Sequence, residues 1–288
     1  MILLPKKADR NDISNIFTES FLYDRFKLLM LNQYKWSGIE ELNIKERHLE
    51  RYLFDEGKAL FFEDKNLGFM VLPCEGYGKP NAYNDFVRYR ATGCGYSEVY
   101  NVDNSVLIEN NKLLMPTHKA VIYFVARLYD LVRTMDVNVK QLRLQTLFLA
   151  NDDNVLTVKK IIDEIENNNW AIVADKTAIN VEEIVKAINT GVKCLTPELT
   201  DRYNAIMNEA LTYFGINNSN TDKRERLITD EANANNQLID SCAEMFLESR
   251  QRACEEINKK FGLNISVELR NKRGCDNANI NAFENDSE

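Results

Sequence analysis

Residues 117–136, THKAVIYFVARLYDLVRTMD, constrain the fold of this chain more than any other stretch. Met115-Pro116-Thr117 opens a long helix there, because proline suits a first turn and ends whatever precedes it. Val121, Val125, Leu128, Val132 and Met135 make one apolar stripe, and Ile122, Phe124, Tyr129 and Leu131 widen it well beyond one face. A helix that is apolar on more than one face is buried on more than one side. It is either a core helix or one that packs on neighbours in an oligomer.

Two more long helices are expected. Thr196 as N-cap, Pro197 at the first helical position and Glu198 at the positive end start one, whose stripe is Leu199, Tyr203, Ile206, Ala210 and Tyr213. Gly215 suits its left-handed C-terminal position. The other runs from about Leu238 to Phe261, with Ile239, Cys242, Phe246, Ala253 and Ile257 on its apolar side and Gly262 at its end. Between them, residues 217–236 are polar, and a loop of that length is unusual unless it is functional or disordered. Ile265–Arg270 alternates like a strand, and the remaining residues read as a polar tail.

The N-terminal part reads differently. Ile13, Ile16, Phe17, Phe21, Leu28, Leu29 and Leu31 recur at helical spacing over 12–36. Lys58–Phe62 and Phe69–Leu72 flank a turn-forming Glu63–Gly68 and predict a hairpin. Phe86–Arg90, Glu98–Val102 and Val106–Glu109 add short strands, so about 50–115 is a small β-rich unit. Between the first two long helices, a strand at Leu144–Ala150, a turn at Asn151–Asn154, a helix at Val158–Glu166, a strand at Trp170–Asp175 and a helix at Val181–Asn189 make a compact α/β insert. The fold class is α+β.

Charge and composition remove several classes. Thirty-six Lys and Arg against 44 Asp and Glu give a net charge of −8, which disfavours tight sequence-independent duplex binding. No run of about 18 apolar residues predicts a transmembrane helix. MILLPKKADRND has its short apolar start before its charge, the reverse of a signal peptide, so none is expected. The six cysteines form no CxxC pair and read as reduced thiols. A zinc site is disfavoured because only His48 and His118 could help, and neither lies near a cysteine pair.

No catalytic motif stands out: there is no Walker-type loop, no GxGxxG after a strand, no HExxH and no GxSxG. No catalytic residue, metal or cofactor is therefore assigned. Asp152, Asp153, Asp163, Glu164 and Glu166 could hold a cation, although a solvated turn and helix face explain them better. Tyr77, Tyr83, Tyr89, Tyr96 and Tyr100, interleaved with Lys79, Arg88 and Arg90, could stack on bases; amphipathic strands over a small core explain them at least as well. Lys223, Arg224 and Arg226 form the most notable basic patch, nearly balanced by Asp222, Glu225, Asp230 and Glu231.

The run Gly215–Asn264 carries a resemblance. Gly215-Ile216, Asn218 and Asn220, Arg224-Glu225-Arg226, Thr229-Asp230-Glu231, Phe246-Leu247-Glu248-Ser249-Arg250, Ala253-Cys254-Glu255-Glu256-Ile257-Asn258 and Gly262-Leu263-Asn264 are similar to the pattern of a known family. That family is the portal protein, upper collar or head–tail connector of small short-tailed, protein-primed phages of Gram-positive bacteria. Leu149–Asn154 and the elements after it are a weaker match.

The resemblance implies a virion protein, assembled in the host cytoplasm. It implies a homo-dodecameric ring at one capsid vertex, through which double-stranded DNA is packaged and later ejected. It divides the chain into a wing at 1–115, a stem helix at 116–139, a clip at 140–195, a second stem helix at 196–216, a channel loop at 217–237, a wing helix and strand at 238–271 and a disordered tail at 272–288. It implies contacts with major capsid and scaffolding proteins, a packaging ATPase and lower collar or tail proteins, and no membrane partner and no enzymatic activity. Lys223, Arg224 and Arg226 are the expected cationic rings of the channel. Lys193 is the candidate for a lysine belt, because Glu198 stands where a belt lysine would align. The rival readings are another viral head–tail adaptor ring and a metal-dependent enzyme such as a nuclease.

Overall fold

The computed structural model describes residues 9–143, 146–148, 185–187, 193–217 and 229–270. It divides into two compact units, one comprising Met1–Tyr129 with Ala205–Glu288 and the other Asp130–Asn204. The helices α3 (Thr117–Arg143) and α4 (Thr196–Tyr213) each contribute residues to both units.

The first unit begins with α1 (Asp9–Leu31). Its core face is Leu22, Phe26 and Met30, four residues apart, while Phe17, Phe21 and Leu28 are exposed. The helix stops at Leu31 and does not continue to residue 36 as the apolar spacing suggested. Tyr34–Ser37 is instead strand β1, paired antiparallel with β10 (Ser266–Leu269) from Tyr34↔Leu269 to Ser37↔Ser266. Pairing with a strand more than 200 residues away in sequence decides the state of Tyr34 and Trp36, both buried.

A short 3₁₀ turn at Glu40–Leu42 leads to α2 (Glu46–Glu56), a helix absent from the sequence reading. Leu49, Leu53 and Phe54 are its buried face. Strands β2 (Lys58–Asp64) and β3 (Gly68–Leu72) form the expected hairpin, and Asp64 Oδ1 accepts the Asn66 and Leu67 amides at 2.8 and 3.0 Å in its turn. β7 (Ser105–Glu109) pairs on the other edge of β2. β4 (Cys74–Gly76), β5 (Arg88–Gly93) and β6 (Tyr96–Asn101) make a second antiparallel sheet. The 33-residue helix α5 (Thr229–Phe261) and β10 complete the unit. α5 starts within the stretch read as loop, so the last residues of 217–236 are helical.

These elements stack in layers. On one face of β3–β2–β7, Ala59, Phe61, Val71, Val106 and Ile108 pack with Leu49 and Leu53 of α2, Ala253, Cys254 and Ile257 of α5, and the β1–β10 pair. On the other face, Leu60 and Phe62 pack on Cys74, Tyr89 and Ala91 of the second sheet. The continuous run Ala59-Leu60-Phe61-Phe62 is thus buried on both sides of one strand. α1 lies beyond α2, with Tyr23 edge-on to Phe54 at 6.1 Å and Lys27 paired to Asp55 at 3.1 Å. Phe26 of α1 also meets Phe214, which follows α4, at 6.0 Å. α4 closes with a Schellman turn: Ile216 N–H reaches Leu211 O at 2.8 Å and Gly215 N–H reaches Thr212 O at 3.0 Å, with Gly215 at φ +69°.

In the second unit, β8 (Thr146–Phe148) pairs antiparallel with β9 (Val185–Ala187). Residues 185–187 are therefore strand where Val181–Asn189 read as helix. Val185 is β-branched and suits either state, and pairing with β8 selects the strand for Val185–Ala187. The expected turn at 151–154, helix at 158–166 and strand at 170–175 lie outside the described residues.

Candidate functional site

Of the four candidate channel residues, the structure describes one. Lys193 is exposed, three residues ahead of α4. Its position is set by Asn138 of α3, a buried amide in the same unit. Asn138 Nδ2 donates to Lys193 O at 2.9 Å, and its Oδ1 accepts the Leu195 amide at 3.0 Å. Both ends of one side chain thus fix the backbone around the lysine. The first helical bond of α4 runs from Leu199 N–H to Leu195 O at 2.9 Å, which places the N-cap at Leu195, one residue before the expected Thr196. Lys223, Arg224 and Arg226 lie outside the described residues, as do the acidic clusters at 152–153 and 163–166.

The tyrosines divide into two groups. Tyr89 is buried in the core between the sheets. Tyr96 and Tyr100 turn inward, stack on Phe62 at 5.8 and 4.2 Å, and hydrogen-bond each other at 2.5 Å. Tyr96 also donates to Asp64 Oδ2 at 2.8 Å. Backbone amides of Asn66 and Leu67 and the Tyr96 hydroxyl hold the Asp64 carboxyl below its ordinary range. Tyr77 and Tyr83 remain outward. Arg88 and Arg90 lie over the Tyr77 ring at 5.5 and 4.7 Å, and Tyr83 is 87% exposed.

The Phe246–Arg250 motif proves to be architectural. Arg250 is buried, and its Nε and Nη2 bond Glu50 Oε1 and Oε2 at 3.0 and 2.8 Å. Nη1 donates to Phe246 O at 3.0 Å, and Nη2 to Asn110 Oδ1 at 3.1 Å. Trp36 Nε1 donates to Glu50 Oε1 at 2.8 Å, and Asn110 Nδ2 reaches Thr117 Oγ1 at 2.9 Å. One arginine therefore ties α5 and α2 to the segment that starts α3. Burial alone would lower the Arg250 pKa, but the charge of Glu50 and its hydrogen bonds, with a smaller charge interaction from Tyr34, leave it raised; the guanidinium carbon also lies 4.1 Å from the centre of the Tyr34 ring. Sequence reasoning singled out Arg250 only as part of a motif. The signal for its burial was its place one helical turn from Phe246 and Ala253.

Among the described residues, no group of three or more His, Cys, Asp or Glu gathers as a metal site, and no helix is long and apolar enough to cross a membrane. A sequence profile of the family described as Phage Connector (GP10) matches residues 6–273. This chain belongs to the phage connector family. The connector is a portal, or head–tail connector, protein of the phage virion.

Three solved structures are similar to this chain, and the first supports the fold. A chain of the portal and tail of native bacteriophage P68 superposes with a TM-score of 0.51 at 15% identity, over 99% of the connector and 97% of that chain. A chain from the virion of a native gene transfer agent particle gives 0.47 at 13% identity, over 93% and 85%. An HK97-family phage portal protein from Corynebacterium diphtheriae gives 0.44 at 10%, over 92% and 94%.

Proposed function

We propose that the connector assembles into a closed, dodecameric ring at one capsid vertex and that double-stranded DNA passes through its central channel, inward on packaging and outward on ejection. The observation that carries this reading is the family match over residues 6–273. The ring is the docking point for the major capsid and scaffolding proteins, for a separate packaging ATPase and later for lower collar and tail proteins. Residues 140–195 form its clip, and its channel loop lies within 217–237, ahead of the start of α5 at Thr229.

Charge supports sliding over gripping. Each chain carries −8, so a ring of such chains repels a duplex except where lysines and arginines face it. A few cationic rings give weak, sequence-independent phosphate contact that does not stall a moving duplex. We assign these rings to Lys223, Arg224 and Arg226, with Lys193 as an exposed lysine ahead of α4.

Light scattering on the purified full chain, with negative-stain images of the same peak, tests the reading. Twelve copies of 33.3 kDa give a particle of roughly 400 kDa with a central hole. A 33.3 kDa monomer at micromolar concentration would overturn it.

A further inference from the structure

A cavity of about 240 Å³ lies along α2. Its floor is apolar, made by Leu49, Phe69 and Val71, and Lys45, His48 and Arg51 stand around it. Tyr52 joins the two parts: His48 stacks on its ring at 6.5 Å, and Arg51 lies over the same ring at 5.4 Å.

The rim is positive. Among the described residues that line the cavity there is no Asp or Glu. Two carboxylates of α2 have other partners: Glu46 accepts the Trp36 amide and pairs with Arg270, and Glu50 is buried against Arg250. Burial first, and then the charges of Arg47, Arg51 and Lys45, all push the His48 pKa down. An apolar pocket ringed by cations suits a ligand with one apolar anchor and carboxylates beside it.

The described chain ends next to this cavity. Arg270, its last residue, donates to Tyr34 O at 3.1 Å and pairs with Glu46, the neighbour of Lys45 in sequence. The sequence beyond Arg270 carries the matching chemistry. Phe283-Glu284-Asn285-Asp286-Ser287-Glu288 is one aromatic followed by acids at alternate positions, with no Lys or Arg among them. Lys272, Arg273 and Asp276 stand close to the exit and serve as tether. Residues 274–288 lie beyond the family match, so their role is read from this chain alone.

The tether is long enough. The thirteen residues from Arg270 to Phe283 span roughly 45 Å when extended and about 20 Å as a flexible coil. The two helical turns from Lys45 to Tyr52 cover only about 10 Å. A segment held this close meets the cavity at an effective concentration on the order of millimolar, ahead of any ligand free in solution.

We propose that residues 283–288 fold back on α2 of the same chain, with the Phe283 ring on the apolar floor and Glu284, Asp286 and Glu288 facing Lys45 and Arg51 across His48. While seated, the segment withholds the cavity from other acidic ligands. The inference does not rest on the ring reading above.

Carbethoxylation of His48 by diethyl pyrocarbonate at pH 8, followed by mass spectrometry on the full chain, tests this. His118, half-buried with Nδ1 3.3 Å from Phe54 O, is the internal reference. Phe283→Ser and Glu284→Lys/Glu288→Lys are each expected to speed the reaction of His48 at least five-fold while His118 stays unchanged. In a chain carrying Lys45→Glu/Arg51→Glu the order should invert: the lysine-bearing tail now slows His48 relative to the natural tail. Misfolding does not produce that inversion. Equal His48 rates with natural and altered tails, or no inversion on the reversed rim, would overturn the docking. Protection that is lost on dilution to a monomer would place another copy's tail in the cavity and overturn the same-chain arrangement.

Discussion

The Arg250 guanidinium meets the Glu50 carboxylate through two parallel hydrogen bonds, 3.0 and 2.8 Å long, with both side chains buried and 200 residues between them. A pair of this kind contributes little net stability compared with well-packed apolar residues, because both ions lose their hydration. Removing one member is different, since it strands a buried charge. Arg250→Met is expected to cost about 3–5 kcal/mol, read from the midpoint of chemical denaturation. The double variant Glu50→Leu/Arg250→Met should lose less than the single one. An equal or larger loss in the double variant would mean that the pair does not behave as an isolated buried ion pair.

The cysteines give a chemical map of the same fold. Burial pushes the Cys74 and Cys254 thiols up to about 12, whereas Cys94 and Cys194 are exposed. Thiolate is the reactive form, so a maleimide at pH 8 should label Cys94 and Cys194 quickly and reach Cys74 and Cys254 only through unfolding. A thiol whose folded pKa is raised stabilises the fold fully below its unfolded value, 9.0, and loses that contribution as pH rises toward the folded value. Stability should therefore fall between pH 9 and 12, and Cys74→Ala should flatten part of that decline.

Gly215 is expected to tolerate no side chain. It sits at φ +69°, and a Cβ there would lie 2.5 Å from Ala243 N and Cα on α5, so strain and a backbone clash combine. Gly215→Ala should destabilise by more than about 1 kcal/mol, with the loss visible in the thermal midpoint. A change within experimental error would show that α4 and α5 can separate here without penalty.

What was legible in the sequence follows from how locally each element is decided. The β2–β3 hairpin was clear because its turn is made by its own Asp64, Asn66 and Gly68. α3 was clear because its apolar surface is broad and proline marks its start, and Gly215 announced the end of α4. α2 was hidden because Leu49, Leu53 and Phe54 stand among seven charged or polar neighbours and a β-rich texture follows. β1 read as helix because its partner, β10, comes from the far end of the chain. The first turns of α5 carry Thr229-Asp230-Glu231 and asparagines, with no apolar stripe to report a helix. On α1 the spacing was legible, but no single-chain pattern distinguishes the stripe that faces the core from the one that faces outward. Of the candidate channel residues, Lys193 was singled out by position alone; the Asn138 clamp on its backbone is a contact across 55 residues.

The channel assignment makes the sharpest prediction about function. The residues concerned are Lys223, Arg224 and Arg226. Replacing all three with glutamine should leave the ring's mass unchanged. It should weaken binding of a short duplex and reduce the salt dependence of that binding, with the slope of log K against log salt falling by about 0.9 for each phosphate no longer neutralised. In a complementation assay with phage lacking its own connector, particles should form but fail to fill or to hold full-length genomes. Lys193→Gln, which removes one exposed charge and leaves the Asn138 clamp on the backbone intact, should show the same defect in weaker form. Normal packaging and retention in the triple variant would remove Lys223, Arg224 and Arg226 from the channel's phosphate-binding groups.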